Sequence, residues 1–165
     1  MIKDRPWIKI GLVPSAVGGS AIRYWQPDSL YIGLHPFDDA IRRTKAAMKD
    51  GVLKGVLWHQ GEADNSPEGA ALYMKQLSIL IERFRKEFRT PALPVVAGEL
   101  GYFHKPYING VLKNLPAIIP NTGIVAAAGL TANPDGIHFT TGSARELGRR
   151  YAKSMLLLLD TTTKP

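Results

Sequence analysis

Two short polar segments contain the residue types that acid–base and nucleophilic catalysis require. The first, Trp58 to Asp64, holds a histidine, a glutamine, a glutamate and an aspartate. The second is Asp135-Gly136-Ile137-His138, where a carboxylate three residues before an imidazole can hold its tautomer while the other ring nitrogen accepts a proton. This spacing by itself is common, and it is also typical of a structural histidine.

The first segment offers both donors and acceptors of hydrogen bonds. Gln60 has an amide that can donate to a developing oxyanion, and Gly61 allows a ligand to approach the backbone. Glu62 and Asp64 can orient an imidazole, although Asp64 is equally typical of a cap on the following helix, which is the interpretation we favour. A polar cluster of this kind is costly unless each group has a partner or a task.

The elements that must position these residues alternate along the chain. Short β-branched or apolar runs predict strands over residues 8–13, 52–58, 93–98 and 123–128. Apolar residues at helical spacing predict helices over 36–50, 67–89, 106–115 and 143–159, the last opened by a capping box of Ser143 and Glu146. This alternation predicts a parallel sheet covered on both faces, with ligands at the carboxyl ends of its strands.

Composition places these elements in one domain. The chain has 165 residues, 45% apolar and 21% charged, which predicts a single folded unit over residues 1–160 and a short tail over 161–165. Its charge of +7 is spread without a basic run, so we expect no nucleic-acid partner. No apolar stretch predicts a membrane span or a signal peptide. The absence of cysteine excludes disulfides, thiolate metal sites and a cysteine nucleophile.

Three segments in this order resemble one known group of enzymes. Residues 10–20 (IGLVPSAVGGS), 55–64 (GVLWHQGEAD) and 135–139 (DGIHF), with the closing residues 145–152, resemble the sialate O-acetylesterase and acetyl xylan esterase domain. That group includes carbohydrate esterase family 6 and belongs to the SGNH hydrolases. The resemblance implies an α/β fold, a three-layer α/β/α sandwich with a mainly parallel, flavodoxin-like sheet. It also implies deacetylation of sugars or xylan through an acyl-enzyme, without a metal or an organic cofactor.

The resemblance also implies roles for individual residues. His138 matches the general base of the family and Asp135 the carboxylate that precedes it. Gly19 matches the backbone donor of the oxyanion hole, and Gln60 the side-chain donor. Glu62 matches an acidic residue that orients the histidine in some members, so two carboxylates remain candidates for that role.

Further residues are candidates for contact with the substrate. His59 is expected to line the pocket or to be structural. Trp25 and Tyr102 can stack against sugar rings, with packing in the core as the alternative for each. The expected partner is an acetylated carbohydrate, and the family makes a secreted or periplasmic location plausible while this chain shows no leader.

One departure concerns the nucleophile. The family begins with a Gly-Gln-Ser-Asn block after its first strand, and nothing in this chain matches that block. The N-terminal strand and the nucleophile are therefore expected upstream of this sequence, with Ser15 or Ser20 as weaker substitutes. The chain alone is expected to be inactive, and to self-associate or to recruit the missing segment. The rival interpretations are a non-catalytic, degenerate or split carbohydrate-binding member and a general carboxylesterase.

Overall fold

A computed structural model describes residues 7–103 and 106–161 of the chain. The helices and strands follow one another as α1 (Pro36–Ala47), β1 (Val56–Trp58), α2 (Pro67–Glu87), β2 (Val95–Gly98), α3 (Tyr107–Leu112), α4 (Leu115–Ile118), β3 (Thr122–Val125) and α5 (Thr141–Thr161). Single-turn 3₁₀ helices cover Ile22–Tyr24 and Glu62–Asp64. None of the helices in the described ranges combines the length and the hydropathy that spanning a membrane requires.

The three strands form a parallel sheet in the order β1-β2-β3. Both pairings are parallel, with Val56 opposite Val95 and Val95 opposite Thr122. All three strands therefore run in the same direction, and their carboxyl ends lie at the same edge of the sheet. Parallel neighbours need a crossover connection, which α2 supplies between β1 and β2, and α3 with α4 between β2 and β3. The predicted parallel α/β sheet is confirmed.

Helices cover the sheet on both faces. On β2, Val95 and Ala97 point into the larger core with α1, α2 and α3, whereas Val96 points into a smaller core with Leu147 and Tyr151 of α5. This alternation is what a strand buried on both sides requires. The large core is built on the apolar stripe of α2, which comprises Ala70, Tyr73, Leu77, Leu80, Ile81 and Phe84. The predicted three-layer α/β/α arrangement is therefore confirmed.

The first predicted strand does not form. Residues 8–13 have no strand pairing, and Ile10 and Leu12 are 49% and 79% exposed. A strand needs a neighbour for its backbone N–H and C=O groups, and no described strand lies beside this segment. The strand β1 also lacks a neighbour on one side, because β2 is its one partner among the described strands. Its Leu57 is 53% exposed. Hydrophobicity alone predicted a strand, but pairing decides whether one exists.

The start of α5 also differs from the prediction. The helix begins at Thr141, and Thr140 Oγ1 accepts a hydrogen bond from Ser143 N at 3.2 Å. Ser143 Oγ instead accepts from Thr131 N at 2.8 Å, and Glu146 pairs with Arg150 at 3.1 Å. The predicted capping box of Ser143 and Glu146 is therefore wrong, because both side chains are used to hold the preceding loop and the helix surface.

Candidate active site

Gln60 lies at the carboxyl end of β1 and is almost fully buried, with 9% of its surface exposed. Its amide nitrogen donates to Ser20 O at 3.0 Å and to Asp64 Oδ2 at 2.7 Å. Its amide oxygen accepts from the Tyr73 hydroxyl at 2.9 Å. Both amide protons are engaged, so this arrangement leaves none for an oxyanion. Burial of the Tyr73 hydroxyl also raises its pKa, which keeps it a neutral donor.

Asp64 joins two segments rather than capping a helix. Its Oδ2 accepts from Ile22 N at 2.8 Å as well as from Gln60, which ties the loop before the Ile22–Tyr24 turn to the end of β1. The cap of α2 is Ser66, whose Oγ accepts from Gly69 N at 3.0 Å. The interpretation of Asp64 as a cap is therefore wrong, since its carboxylate accepts from Ile22 N and from Gln60 instead.

Gly19 lies next to this network in an exposed turn with φ of +71°. None of the hydrogen bonds within the described ranges uses its N–H, so this donor is open to a ligand. The adjacent Ser20 is 2% exposed; its Oγ donates to Val17 O at 2.7 Å and accepts from Trp25 Nε1 at 3.0 Å. A hydroxyl so placed is not available as a nucleophile, and the Oγ of Ser15 is also buried.

Trp25 belongs to the core. It is 5% exposed and packs edge-on against Trp58, with 5.0 Å between the ring centroids. The expectation that Trp25 stacks against a sugar is therefore wrong, and the core alternative holds. Tyr102 remains 47% exposed, and its hydroxyl donates to Glu99 Oε2 at 2.9 Å.

Sequence reasoning missed Glu99. This glutamate follows β2 directly, is only 3% exposed, and accepts from Ala127 N at 3.1 Å through Oε2. It thereby connects the ends of β2 and β3 at the edge of the sheet where the other candidates lie. Its position after a predicted strand was the available signal, but a single glutamate without a neighbouring motif does not stand out.

His138 and Asp135 form a hydrogen-bonded pair on an exposed loop. Asp135 Oδ2 lies 2.9 Å from His138 Nδ1, while Asp135 Oδ1 accepts from the backbone N–H groups of Ile137 and His138 at 2.8 and 2.9 Å. These backbone hydrogen bonds, followed by the imidazole, lower the pKa of Asp135 to about 2. An ionised carboxylate keeps the proton on Nδ1 and leaves Nε2 as the acceptor. The imidazole is 75% exposed.

The loop that carries this pair is fixed at both ends. Ala132 and Phe139 form an antiparallel bridge, and Asn133 N donates to His138 O at 2.7 Å. Arg150 on α5 holds the beginning of the loop, because its Nη1 donates to Ala126 O at 2.7 Å and to Ala128 O at 3.0 Å. His138 is thus exposed but held by an ordered backbone.

His59 is a second imidazole at this edge. The Tyr151 hydroxyl donates to Trp58 O at 2.6 Å, so it must accept from His59 Nδ1, 3.2 Å away. Nε2 is therefore the unprotonated nitrogen, and it lies 3.9 Å from Glu62 Oε1. Burial lowers the pKa of His59, against the opposing effect of Glu62. Glu62 thus faces His59, and the carboxylate beside His138 is Asp135.

The predicted segments converge on one edge of the sheet. Gln60 contacts Ser20, and the ring of His59 lies 5.9 Å from that of Phe139, the neighbour of His138. Within the described ranges, no hydrogen bond or ion pair joins His138 directly to Gly19, Gln60 or Glu62. A cleft of about 220 Å³ lies beside Glu62 and Ile137, the neighbour of His138, and its other lining residues are Asn65, Leu100, Gly101 and Phe103. No group of three or more histidine, aspartate or glutamate side chains in the described residues could hold a metal ion.

Comparison with known proteins identifies the relatives of this arrangement. The family model for carbohydrate esterases described as sialic acid-specific acetylesterases matches residues 1–157. The "Probable carbohydrate esterase At4g34215" of Arabidopsis thaliana is 33% identical over 150 residues, which are 89% of this chain and 55% of the relative. This chain thus spans about half the length of that curated relative.

Solved structures agree with this result. An X-ray structure of the Arabidopsis thaliana protein AT4G34215 superposes with a TM-score of 0.82 at 32% identity, over 94% of this chain and 64% of the other. The fold is also that of XAC1771, a carbohydrate acetylesterase from Xanthomonas citri, with a TM-score of 0.73 at 23% identity over 97% of this chain and 39% of the other. With the parallel sheet and the convergent edge, these matches show that the chain belongs to the carbohydrate esterase family of sialic acid-specific acetylesterases.

Proposed function

We propose that this chain is the base-bearing part of a carbohydrate O-acetylesterase that works through a serine acyl-enzyme. The observation that supports it most is the pair formed by Asp135 and His138, at 2.9 Å, with Nε2 of the imidazole turned into an acceptor. The open N–H of Gly19 at the same edge of the sheet supplies a donor for an oxyanion. The acetylated carbohydrate is the partner that this chemistry and the family imply.

The proposed reaction uses the imidazole twice. A serine oxygen attacks the acetyl carbonyl carbon while His138 Nε2 takes the hydroxyl proton, and the resulting oxyanion accepts from Gly19 N. The C–O bond to the sugar then breaks, and the imidazolium returns its proton to the sugar oxygen. Water, deprotonated by the same imidazole, attacks the acyl-enzyme and releases acetate and the serine.

We infer that the nucleophile comes from a segment that this sequence does not contain. None of the seven serines of the chain, all within the described ranges, is hydrogen bonded to His138. Ser20 is buried and its proton is committed to Val17 O. A Gly-Gln-Ser-Asn segment beside β1, as the resemblance implies, would place a serine hydroxyl at the edge of the sheet where His138 lies.

The geometry supports a different role for Gln60 from the one expected. Since both of its amide protons are taken by Ser20 O and Asp64, we propose that Gln60 holds the Gly19 turn rather than donating to the oxyanion itself. Gly19 N then remains as the donor that this chain contributes. A second donor, if the complete enzyme has one, is expected from the segment that brings the serine.

The test measures acetate released from p-nitrophenyl acetate and from acetylated xylan. The chain alone is expected to be inactive, and mixing it with a polypeptide that carries the Gly-Gln-Ser-Asn segment is expected to restore turnover. In the restored mixture, His138→Ala should lower turnover by several orders of magnitude. His35→Ala is the matched control, because it removes an exposed imidazole far along the chain from both motifs. Full activity of the His138 variant, or robust turnover by the isolated chain, would contradict the proposal.

The absence of a serine beside His138 also favours a second candidate, a carbohydrate-binding protein of the same fold without catalysis. This candidate expects no acetate from the chain or from the mixture, together with measurable binding of oligosaccharides. Both measurements on the same preparation separate the two functions.

A further inference from the structure

Two tyrosine rings stack beside the Gly19 turn, outside the residues that the proposed reaction uses. The rings of Tyr24 and Tyr31 have centroids 4.7 Å apart and are tilted by 37°. Arg23 lies over the Tyr24 ring, with its guanidinium carbon 4.6 Å from the ring centroid and Nη2 donating to the Tyr24 hydroxyl at 3.0 Å. Both tyrosines are half-buried. The guanidinium and the Tyr31 ring therefore both contact the Tyr24 ring, and we call these three residues the stack.

The stack reaches the open donor of the candidate site. A Cβ placed on Gly19 would lie 3.1 Å from the Tyr31 hydroxyl oxygen, so this hydroxyl packs directly against the Gly19 backbone. A ligand group that accepts from Gly19 N would have Tyr31 as its immediate neighbour. An ester bound at this turn would thus bring the ring that bears it next to Tyr31.

A tight hairpin fixes the position of Tyr31. The backbones of Tyr31 and Leu34 exchange two hydrogen bonds of 2.9 Å, and the turn residues Ile32 and Gly33 have φ of +45° and +78°. A β-branched residue at positive φ is strained, and it persists here on a side chain that is 73% exposed. The hairpin therefore holds Tyr31 in place although Ile32 has an unfavourable backbone conformation. The exposed side chain of Ile32 contributes little burial to offset that strain.

We propose that Tyr31, supported by Tyr24 and Arg23, forms a binding subsite for the sugar ring that carries the ester. A tyrosine ring offers a negative π face to the C–H groups of a pyranose and a hydroxyl to its oxygens. Because the stack and the hairpin fix this side chain in advance, little conformational entropy is lost when a ligand binds. The inference rests on the proposed function for its ligand class, and it assigns a residue that neither motif contains.

The experiment measures binding to the full chain by calorimetry and by backbone NMR shifts. The probes are three neutral oligosaccharides: xylohexaose, cellohexaose and mannohexaose. We expect at least one to bind and to shift the Gly19 and Tyr31 signals. Tyr31→Leu should weaken that binding about tenfold or more, whereas Tyr31→Phe, which keeps the ring, should retain most of it. Arg23→Gln should weaken it less than Tyr31→Leu, because Arg23 acts through Tyr24.

Two control variants test whether the effect belongs to this stack. Trp7→Ala removes a more exposed aromatic ring, 75% exposed, and Arg42→Gln removes an equivalent charge from α1; neither should change binding. NMR dispersion of each variant confirms that it is folded. The proposal is overturned if no probe binds, if Tyr31→Leu binds as the unaltered chain does, or if Trp7→Ala has the same effect as Tyr31→Leu. Binding without esterase activity in the mixture refutes the proposed function and leaves the subsite standing.

Discussion

Gln60 illustrates how a side chain of the expected type can be placed for a different task. An amide at the end of a strand is a plausible oxyanion donor, yet here each of its polar atoms already has a partner inside the protein. In a buried position the loss of one of these hydrogen bonds is costly, because the group left without its partner cannot bind water instead. The residue is therefore expected to contribute to stability as well as to the shape of the Gly19 turn.

We predict that Gln60→Ala lowers the free energy of unfolding by about 2 kcal/mol, since it leaves Ser20 O and part of the Asp64 carboxylate without their donor. Denaturant unfolding of the isolated chain measures this change. Gln76→Ala on α2 is the control, because it removes the same atoms from a half-buried position on a helix and should cost less than about 0.5 kcal/mol. Equal losses in the two variants would contradict the assignment.

The Asp135 carboxylate predicts how the loop responds to acid. Its pKa is lowered from 3.8 to about 2, chiefly by the backbone N–H of His138 and then by that of Ile137. A carboxylate whose pKa is lower in the folded chain stabilises the loop above the unfolded value, and this stabilisation is lost as the pH falls through the folded value. The amide NMR signals of Ile137 and His138 should therefore titrate with a midpoint near pH 2 rather than 3.8. Asp135→Asn should abolish the transition, and a midpoint near 3.8 would refute the geometry.

At this scale the sequence predicted contacts that lie close together along the chain. Asp135 and His138 pair as their spacing suggested, because a three-residue separation across a glycine brings the groups together locally. The partners of Gln60 and Trp25 were not predictable in this way. The Gln60 amide reaches Ser20 O across 40 residues of sequence, and Trp25 packs against Trp58 of β1, and such pairings depend on the tertiary fold.

Among the elements, those with a strong helical period or a buried partner were predicted well. The α2 helix, Pro67–Glu87, lies within the predicted range 67–89, and the strands β2 and β3 overlap the apolar runs that predicted them. The helix predicted over 106–115 ends at Leu112, and a separate short helix begins at Leu115. Pro116 in the first turn of that second helix favours the break, since proline lacks the N–H that a continuous helix uses. Residues 8–13 failed for a reason that lies outside the segment, namely the lack of a neighbouring strand.

The hairpin around Ile32 allows a direct test of backbone strain. We predict that Ile32→Asn raises the free energy of unfolding by about 1 kcal/mol, because asparagine adopts positive φ far more readily than a β-branched residue. For a chain of this length the change corresponds to roughly 2–4 °C in Tm. Leu30→Asn is the control: it replaces another exposed aliphatic of the hairpin, at 60% exposure, without the positive φ. Calorimetry showing a lower Tm for Ile32→Asn would contradict the prediction.

At the scale of the molecule, the open side of β1 is the feature with the largest consequence. Parallel strands are normally buried on both faces and flanked by neighbours, and an edge with an exposed leucine is a template for pairing. Here Leu57 on that edge is 53% exposed, and Ile10 and Leu12 in the unpaired segment 8–13 are exposed as well. The chain is thus expected to associate with itself or with a strand supplied by another segment.

We predict that the purified chain forms concentration-dependent oligomers and that Leu57→Lys shifts it towards the monomer, because a lysine on an edge strand opposes pairing. Analytical ultracentrifugation over a range of concentrations measures the shift. Leu72→Lys on α2 is the matched control: it places the same charge at a leucine that is 58% exposed but lies on a helix rather than on a strand. An equal effect of both variants would indicate a general solubility effect, and a monomeric unaltered chain would refute the prediction.

One turn of α5 contacts the surroundings of both imidazoles. Arg150 donates to the carbonyl groups of Ala126 and Ala128 at the start of the loop that bears His138. The next residue, Tyr151, contacts His59 and donates to Trp58 O. Any movement of that turn is transmitted to both places at once. Warming that frays α5 as far as Arg150 would therefore disturb the base and its neighbour together, before the large core on the opposite face of the sheet is affected. The thermal limit of the site is then set by one helix rather than by the melting of the whole domain.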